Sequence, residues 1–494
     1  MIASKIRRTK TGCLTCRRRR KKCDERKTTC LACQRNSLAC TWSSERHMST
    51  PDASGGFPEG DQVSRQTEPE PESSMPCPSP FTISLPLSCN IQIHKDTVQL
   101  QIPNFGGILT EPLSRTLLQH YIHETAQCLT TRRDPINPFV TEILPIAQDN
   151  RGLMHAVLAF SGQHLVIRTN KQMSPVIWTH YSTAISEIRS GVERYIQGDR
   201  SGVTALLATT LMLCLTENTN PNENHMAQHL AGARLLLNEL LSLPSSRADS
   251  DTVGFLAELY LYTASAYRIS SNPTWVDLLN DEDSKLYTTN VLAHRRAGFL
   301  LGSHQDLFPL IHSVASLASE RELDQKALGT CSPQCLSRFH SLRQCILKWS
   351  VPAGVTNEQD VLCGELYRQA LLVHLETAFR RHDHVLYRRL HLRPFVHRCI
   401  DAAMQALRLL PADGPIATIT VWPLVILGIS ARDTQHQEAI QRHLEALFER
   451  IKMTSVASSL SLIKNIWEST SEAYVDAWDL EQIMSEKGRV FPLT

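Results

Sequence analysis

The chain has 494 residues, with 51 lysines and arginines against 49 aspartates and glutamates, and a formal charge of +2. Apolar side chains make up 42% of it, which is typical of a globular protein and excludes a wholly disordered chain. The near-zero net charge conceals an uneven distribution, because residues 1–48 hold 14 basic and three acidic side chains. This asymmetry predicts a basic N-terminal module that binds a polyanion, followed by an acidic remainder.

Composition divides the chain into three parts. Residues 1–48 are basic and rich in cysteine. Residues 49–107 begin with a stretch rich in proline and serine, which cannot bury enough apolar surface to order itself, so we predict a flexible linker. The apolar residues between positions 91 and 102 alternate loosely, and this pattern suits either a short strand or an extended arm.

Residues 108–494 are dominated by apolar residues at spacings of three and four, as at Leu207 and Leu211. Breaks containing proline fall at 242–245 and 410–415, where we expect helices to end. We predict one large all-α domain.

The longest uncharged stretches are residues 201–216 and 414–431. The second contains Pro415, Pro423 and Gly428, and both fall short of the roughly 20 apolar residues that a membrane span needs. We therefore predict two buried helices and no membrane partner. The first residues of the chain are positively charged without an apolar run behind them, so no signal peptide is predicted.

Six of the 15 cysteines lie in one 28-residue window with the pattern C-x2-C-x6-C-x6-C-x2-C-x6-C, in which one half repeats the other. They are Cys13, Cys16, Cys23, Cys30, Cys33 and Cys40. Two residues between thiols allow both sulfurs to reach one tetrahedral ion at about 2.3 Å. Six ligands fill two tetrahedral sites only if two thiolates bridge, which favours a binuclear zinc cluster over one zinc with two spare cysteines. A disulfide knot, a redox C-x2-C pair and a plain basic localisation signal are the alternatives.

The window resembles the fungal Zn(2)-Cys(6) binuclear cluster, a DNA-binding domain, and Asp24 after the third cysteine also matches that pattern. The resemblance implies that Cys13 and Cys30 bridge two zinc ions. One zinc would take Cys13, Cys16, Cys23 and Cys30, and the other Cys13, Cys30, Cys33 and Cys40. The chain departs from the family pattern at Thr28, where a proline usually shapes the loop between the halves.

A run of six basic residues lies between the second and third cysteines: Arg17, Arg18, Arg19, Arg20, Lys21 and Lys22. Six thiolates and two Zn²⁺ ions sum to a charge of −2, which this run offsets. The resemblance implies that a short helix here enters the major groove of double-stranded DNA. Arg20 would then read a CGG-type triplet, while the other five side chains contact phosphate. The run also suits a nuclear import signal.

Four stretches, at 120–139, 153–161, 229–234 and 421–428, resemble the fungal-specific transcription factor domain. The similarity is to the subclass that includes the acriflavine-sensitivity-control and arginine-catabolism regulators. The resemblance implies a small zinc-cluster domain, a disordered linker and a large all-α regulatory domain. It also implies a nuclear regulator of RNA polymerase II genes that works with the transcription machinery. The alternative is a zinc-stabilised interaction or co-regulator protein with only weak, nonspecific affinity for DNA.

No heptad seam of a coiled coil occurs between residues 42 and 109. Either the protein binds a single triplet as a monomer, or the helical domain supplies the interface of a homodimer.

Other candidate chemistry in the helical domain is weak. We find no nucleotide-binding or hydrolase motif, and we predict that the protein is not an enzyme. Cys331 and Cys335 are interpreted as ordinary thiols, with a metal or redox pair as the alternative. Five histidines among arginines are interpreted as part of a solvated helix face, with a metal site or phosphate-binding surface as alternatives: His374, His382, His384, His391 and His397. Residues 474–481 suit a terminal packing helix or an acidic activation segment.

Overall fold

The computed structural model describes two compact units, Met1–Ser79 and Pro80–Thr494. In the first unit the described residues are 13, 15–16, 23–26, 29–35 and 40. In the second they are the backbone of 82–84, 90–94 and 97–98, and then residues 107–133, 136–217, 225–242, 250–268, 281–293, 298–468, 479–480, 483–484 and 493. The side chains of residues 281, 284 and 291–293 lie outside this description.

The elements of regular structure before residue 107 are short. Helix α1 is Leu31–Gln34. Strands β1 (Thr82–Ser84), β2 (Asn90–His94) and β3 (Thr97–Val98) pair antiparallel in that order, with Ile83 opposite Ile91 and His94 opposite Thr97. The alternating residues predicted as a short strand or an extended arm thus include a strand.

The described part of the chain from residue 107 onwards is helical and contains no strand. Its first half contains α2 Pro112–His120, a π-turn at Tyr121–Thr125, α3 Ala126–Cys128, α4 Pro138–Thr141, α5 Ile143–Asp149, α6 Arg151–Thr169, α7 Pro175–Ile196, α8 Val203–Glu217, α9 Met226–Ser242, α10 Ser250–Tyr267 and α11 Asp281–Ala293. Its second half contains α12 Phe308–Leu328, α13 Pro333–Lys348, α14 Glu358–Phe379, α15 Val385–Tyr387, a π-turn at Arg388–Leu392, α16 Arg393–Leu409, α17 Val421–Ser430, α18 Thr434–Ile451 and α19 Thr454–Glu468. Short 3-10 turns lie at Ile108–Thr110, Gly302–Leu307, Arg380–His382 and Pro415–Ile419. The predicted all-α domain is confirmed.

The two uncharged stretches of the sequence form deeply buried helices. All ten residues of α17 are buried, and so are all residues of α8 except two near its start. A helix that is apolar on every face belongs in the centre of a large core. The prediction of two buried helices is confirmed, and no helix among the described residues has the length and hydropathy to cross a bilayer.

Helix starts follow capping chemistry that is visible in the sequence. Asn150 accepts a hydrogen bond from the Leu153 N–H at 2.9 Å before α6, and Asp433 accepts one from the Gln435 N–H at 2.7 Å before α18. These side chains satisfy amide groups that have no partner within the first helical turn. Helix α18 ends at Lys452, which takes a left-handed conformation with φ of 50°.

Most helices pack against helices that are close in sequence. In the first half α6 contacts α7 and α8, and α8 contacts α9; in the second half α14 contacts α16 and α17, and α18 contacts α19. Helices α10 and α11 of the first half contact α12 of the second half. Two long-range polar contacts also join distant parts of the chain. The His164 Nε2–H donates to the carbonyl oxygen of Ile451 at 3.0 Å, and the Thr131 hydroxyl donates to that of Gly298 at 2.9 Å.

Candidate metal centre

The first half of the cysteine window is folded by hydrogen bonds between backbone and sulfur. The Cys13 N–H donates to Cys23 Sγ at 3.4 Å, and the Cys16 N–H donates to Cys13 Sγ at 3.3 Å. Donors aimed at sulfur stabilise negative charge on a thiolate.

The second half repeats this arrangement 17 residues later. The Cys30 N–H donates to Cys40 Sγ at 3.3 Å, and the Cys33 N–H donates to Cys30 Sγ at 3.4 Å. The second of these hydrogen bonds is also the N-terminal cap of helix α1. The duplication in the sequence is therefore a duplication in structure, because equivalent cysteines make equivalent hydrogen bonds.

Asp24 joins the two halves. Its Oδ1 atom accepts a hydrogen bond from the Leu31 N–H at 2.9 Å. Desolvation raises the pKa of the Asp24 carboxyl, but backbone N–H donors, first among them Leu31, outweigh it and hold the pKa below its usual value. Glu25, which follows Asp24, takes a left-handed conformation with φ of 60°, and its N–H donates to Cys23 Sγ at 3.4 Å. The Asp24 carboxylate thus tethers the segment after the third cysteine to the helix after the fourth.

The sulfur separations fit metal ligation and exclude disulfides. Cys13 Sγ lies 3.7 Å from the Sγ atoms of Cys30 and Cys33, and Cys16 Sγ lies 3.5 Å from that of Cys30. A disulfide requires about 2.05 Å, and the described cysteines are all free. Four sulfurs at about 2.3 Å from a tetrahedral zinc ion lie about 3.8 Å apart.

The six sulfurs form two overlapping groups of four, within each of which the ligand atoms lie within 4.8 Å of one another. The groups are Cys13, Cys16, Cys23 and Cys30, and Cys13, Cys30, Cys33 and Cys40. They share Cys13 and Cys30, the two residues that the resemblance implies as bridges. The structure therefore brings together all six cysteines singled out in the sequence.

Burial makes the thiols of Cys16 and Cys33 difficult to ionise without a cation. Burial raises the pKa of Cys16 above its ordinary value and raises the pKa of Cys33 to about 12. A soft, dipositive ion such as Zn²⁺ reverses this preference because it binds thiolate directly. The donor set thus suits zinc.

The predicted DNA-contacting residues, Arg17, Arg18, Arg19, Arg20, Lys21 and Lys22, lie outside the described residues, as does Thr28. Their predicted roles stay predictions. Described basic residues near the cluster are Arg26 and Arg35, which are both exposed. The contact made by Asp24 was not predicted, although the adjacent acidic residues Asp24 and Glu25 in a strongly basic segment are a usable signal.

Two regions of the chain match known families. Residues 11–49 match the fungal Zn(2)-Cys(6) binuclear cluster domain. Residues 116–493 match the fungal specific transcription factor domain, which covers most of the chain. The chain belongs to the fungal Zn(2)-Cys(6) transcription factors. No curated protein and no solved structure matches it.

Membership of this family decides the class of function. The transcription factor binds zinc through its cysteine cluster, binds DNA and regulates transcription, and its domains are not those of an enzyme. The acriflavine-sensitivity-control and arginine-catabolism subclass stays a prediction.

The histidines grouped in the sequence do not share one site. His374 is buried beneath Trp422, so its assignment to a solvated face is wrong; α14 is buried on nearly every side from Cys363 to Phe379. The other four lie nearer the surface and have separate partners. His382 pairs with Glu322, His384 caps α15, His391 lies against the Tyr387 ring, and His397 faces Asp401.

The remaining candidates lie at the start of α13 and near the C-terminus. Cys335 is buried and Cys331 half-buried, and both lie within reach of the Asp324 carboxylate. In the segment predicted as a packing helix or an activation segment, Leu480 is fully buried and Asp479 pairs with Arg381 at 2.9 Å. These two residues favour the packing helix.

Proposed function

We propose that this transcription factor regulates RNA polymerase II genes in the nucleus by reading CGG-type triplets through residues 17–22. Two zinc ions hold the reading module, with Cys13 and Cys30 as bridges and Cys16, Cys23, Cys33 and Cys40 as terminal ligands. The observation that carries this proposal is the pair of four-sulfur groups sharing Cys13 and Cys30. Zinc supplies the cross-links that a module of this size needs in order to fold.

Recognition follows from charge and geometry. The basic run lies between two ligands, Cys16 and Cys23, so the cluster restricts where its side chains can point. An arginine can donate two hydrogen bonds to guanine O6 and N7, which discriminates bases by about 1–3 kcal/mol. We assign this role to Arg20 and phosphate contacts to the five other basic residues.

A paired substitution tests the assignment on the full-length protein. Arg20→Ala should reduce the preference for CGG-containing DNA over scrambled DNA by about 5- to 150-fold. Lys21→Ala, the matched control, should weaken binding to both DNAs equally and lower the slope of log affinity against log salt by about one. Gel shifts over a range of salt concentrations measure both quantities. Identical behaviour of the two variants would contradict the assigned roles.

The oligomeric state sets how much DNA is read. A homodimer through the helical domain would read two triplets, whereas a monomer would read one with a small footprint. Selection of binding sites from random DNA decides the question, because two triplets at fixed spacing indicate a dimer and one triplet indicates a monomer.

The second candidate function is a zinc-stabilised co-regulator that acts through protein partners and touches DNA only nonspecifically. Thr28 in place of the usual loop proline and the lack of a heptad seam in residues 42–109 favour it. Genome-wide occupancy discriminates: enrichment at CGG-containing promoters supports specific reading, and uniform weak occupancy supports the co-regulator.

A further inference from the structure

Outside the cysteine cluster, two histidines and one aspartate converge where α16 meets α18. His397 and Asp401 lie four residues apart on α16, so they share one face of the helix. His436 comes from the first turn of α18. We propose that His397, Asp401 and His436 form a binding site for a divalent transition-metal ion of the zinc type, which would link these two helices.

The distances suit such an ion. The Asp401 carboxylate faces both imidazoles, with Oδ1 at 3.1 Å from His436 Nε2 and Oδ2 at 3.8 Å from His397 Nε2. The ring centroids of the two histidines are 5.5 Å apart, and the three ligand atoms lie within 4.8 Å of one another. Nitrogen and oxygen ligands at about 2.0–2.1 Å from a tetrahedral ion lie roughly 3.3 Å apart. The observed separations fall on either side of that value, so small side-chain rotations bring the ligands to bonding distance.

Burial gives the site one fixed ligand and two accessible ones. The His436 side chain is 9% exposed, whereas those of His397 and Asp401 are 58% and 44% exposed. The core therefore fixes the position of His436. An ion can approach from solvent past the exposed side chains of His397 and Asp401.

The second ring nitrogen of His436 removes an obstacle to ligation. His436 Nδ1 is buried and has no hydrogen-bond partner among the described residues. Without an ion, the Asp401 carboxylate at 3.1 Å favours the proton on Nε2. Because no described neighbour holds Nδ1, the proton can move there when an ion binds, which frees the Nε2 lone pair.

Charge and donor type select the ion. Two imidazoles and one carboxylate suit Zn²⁺, Ni²⁺ and Cu²⁺ better than Mg²⁺ or Ca²⁺, which prefer oxygen, and they leave a fourth position for water. The N-terminal end of α18 is the positive end of a helix dipole, which opposes a cation. The carboxylates of Asp401 and of Asp433, the N-cap of α18, offset it.

Nickel titration of the full-length protein tests the site. The protein is first loaded with zinc and dialysed against a weak chelator that empties exposed sites but not the cysteine cluster. Its zinc content is then measured by mass spectrometry, and Ni²⁺ uptake is followed by calorimetry. We expect one equivalent of Ni²⁺ to bind without release of zinc. His397→Ala and Asp401→Asn should each weaken this event at least tenfold, because each removes a ligand or its charge. His340→Ala, which removes an exposed histidine of α13, is the matched control and should leave the titration unchanged.

A stability measurement gives an independent readout. Saturating Zn²⁺ should raise the Tm of the zinc-loaded wild-type protein by about 3 °C through preferential binding to the folded state, and this rise should vanish in both variants. Both substitutions are at exposed or half-exposed positions, so the variants should fold, and their DNA binding should match the wild type. The proposal is overturned if the wild type takes up no ion beyond the cluster, if uptake is matched by zinc release, or if the variants bind as the wild type does.

Discussion

The cysteine cluster and the helical domain are stabilised by different means. Among the described residues of the cluster, the buried ones are Cys13, Cys16, Cys23, Cys30 and Cys33, and the only apolar neighbour packed against them other than Cys40 is Ala32. The described residues of the cluster form no apolar core, so we expect the metal to provide the stability. The helical domain instead buries large side chains such as Trp422, Tyr260 and Phe139. The chain therefore contains two folding units, and each should be able to unfold without the other.

Removal of zinc should separate them most completely. A strong chelator should reduce specific DNA binding to the nonspecific level, a loss of about a thousandfold or more. The far-UV circular dichroism and the urea midpoint of the helical domain should stay unchanged, because its core contains no cysteine of the cluster. Gel shifts and urea denaturation of the same chelated sample measure the two effects. Specific binding that survives complete zinc removal would contradict the metal-dependent role.

Acid should have the next largest effect, and it acts on the helical domain itself. Burial lowers the pKa of the half-buried His229 and of five core histidines to about 4, the five being His155, His164, His304, His374 and His443. Their folded-state pKa lies below the unfolded value of about 6.5, so unfolding takes up protons. Their contribution to stability is complete above pH 6.5 and is lost as the pH falls towards 4, at about 1–3 kcal/mol each.

Glu258 opposes this trend. It is fully buried and accepts hydrogen bonds from the Leu300 and Leu301 N–H groups at 2.8 and 2.9 Å, yet burial raises its pKa to about 6. Its contribution is therefore present below the unfolded pKa near 4.5 and is lost as the pH rises through 6. One glutamate cannot offset six histidines, so the urea midpoint of the helical domain should be lower at pH 5 than at pH 7. His374→Phe should reduce this dependence, and an unchanged midpoint would contradict the assignment.

A cavity in the centre of the helical domain should destabilise that domain and spare the cluster. Leu427 on α17 is fully buried, and Leu427→Ala should lower the free energy of unfolding by about 2–5 kcal/mol. The zinc content per chain should not change. Leu409→Ala, at a position 66% exposed, should alter stability by less than about 0.5 kcal/mol. Urea denaturation and metal analysis of both variants make the comparison; a loss of zinc in Leu427→Ala would show that the units are coupled.

The smallest expected effect is confined to the cluster. Asp24→Ala removes the acceptor of the Leu31 N–H and should speed zinc release to a chelator several-fold, because the two halves lose their tether. Arg26→Ala, an exposed neighbour, should release zinc at the wild-type rate. The rate is measured with a coloured zinc indicator under excess chelator. Equal rates for both variants would show that the Asp24 contact does not hold the halves together.

The sequence predicted those features whose pattern depends on local spacing and composition alone. The spacing of the six cysteines predicted that they would converge, and the uncharged runs predicted α8 and α17 as buried helices. Sequence reasoning failed for His374, because the charged residues that follow it suggest an exposed face, whereas α14 is enclosed by α12, α13, α16 and α17. The Asp24 contact depends on the left-handed turn at Glu25, a conformation that a glutamate rarely adopts.

The packing of helices against their sequence neighbours has a consequence for synthesis of the protein. Helices α6 to α9 contact one another, so their part of the core can assemble on the ribosome before α14 to α19 have been made. The hydrogen bond from His164 to the Ile451 carbonyl cannot form until nearly the whole helical domain has emerged. Until then the His164 imidazole lacks this acceptor. The apolar packing of α6 to α9 can thus form early, whereas the polar contact between His164 and Ile451 forms late.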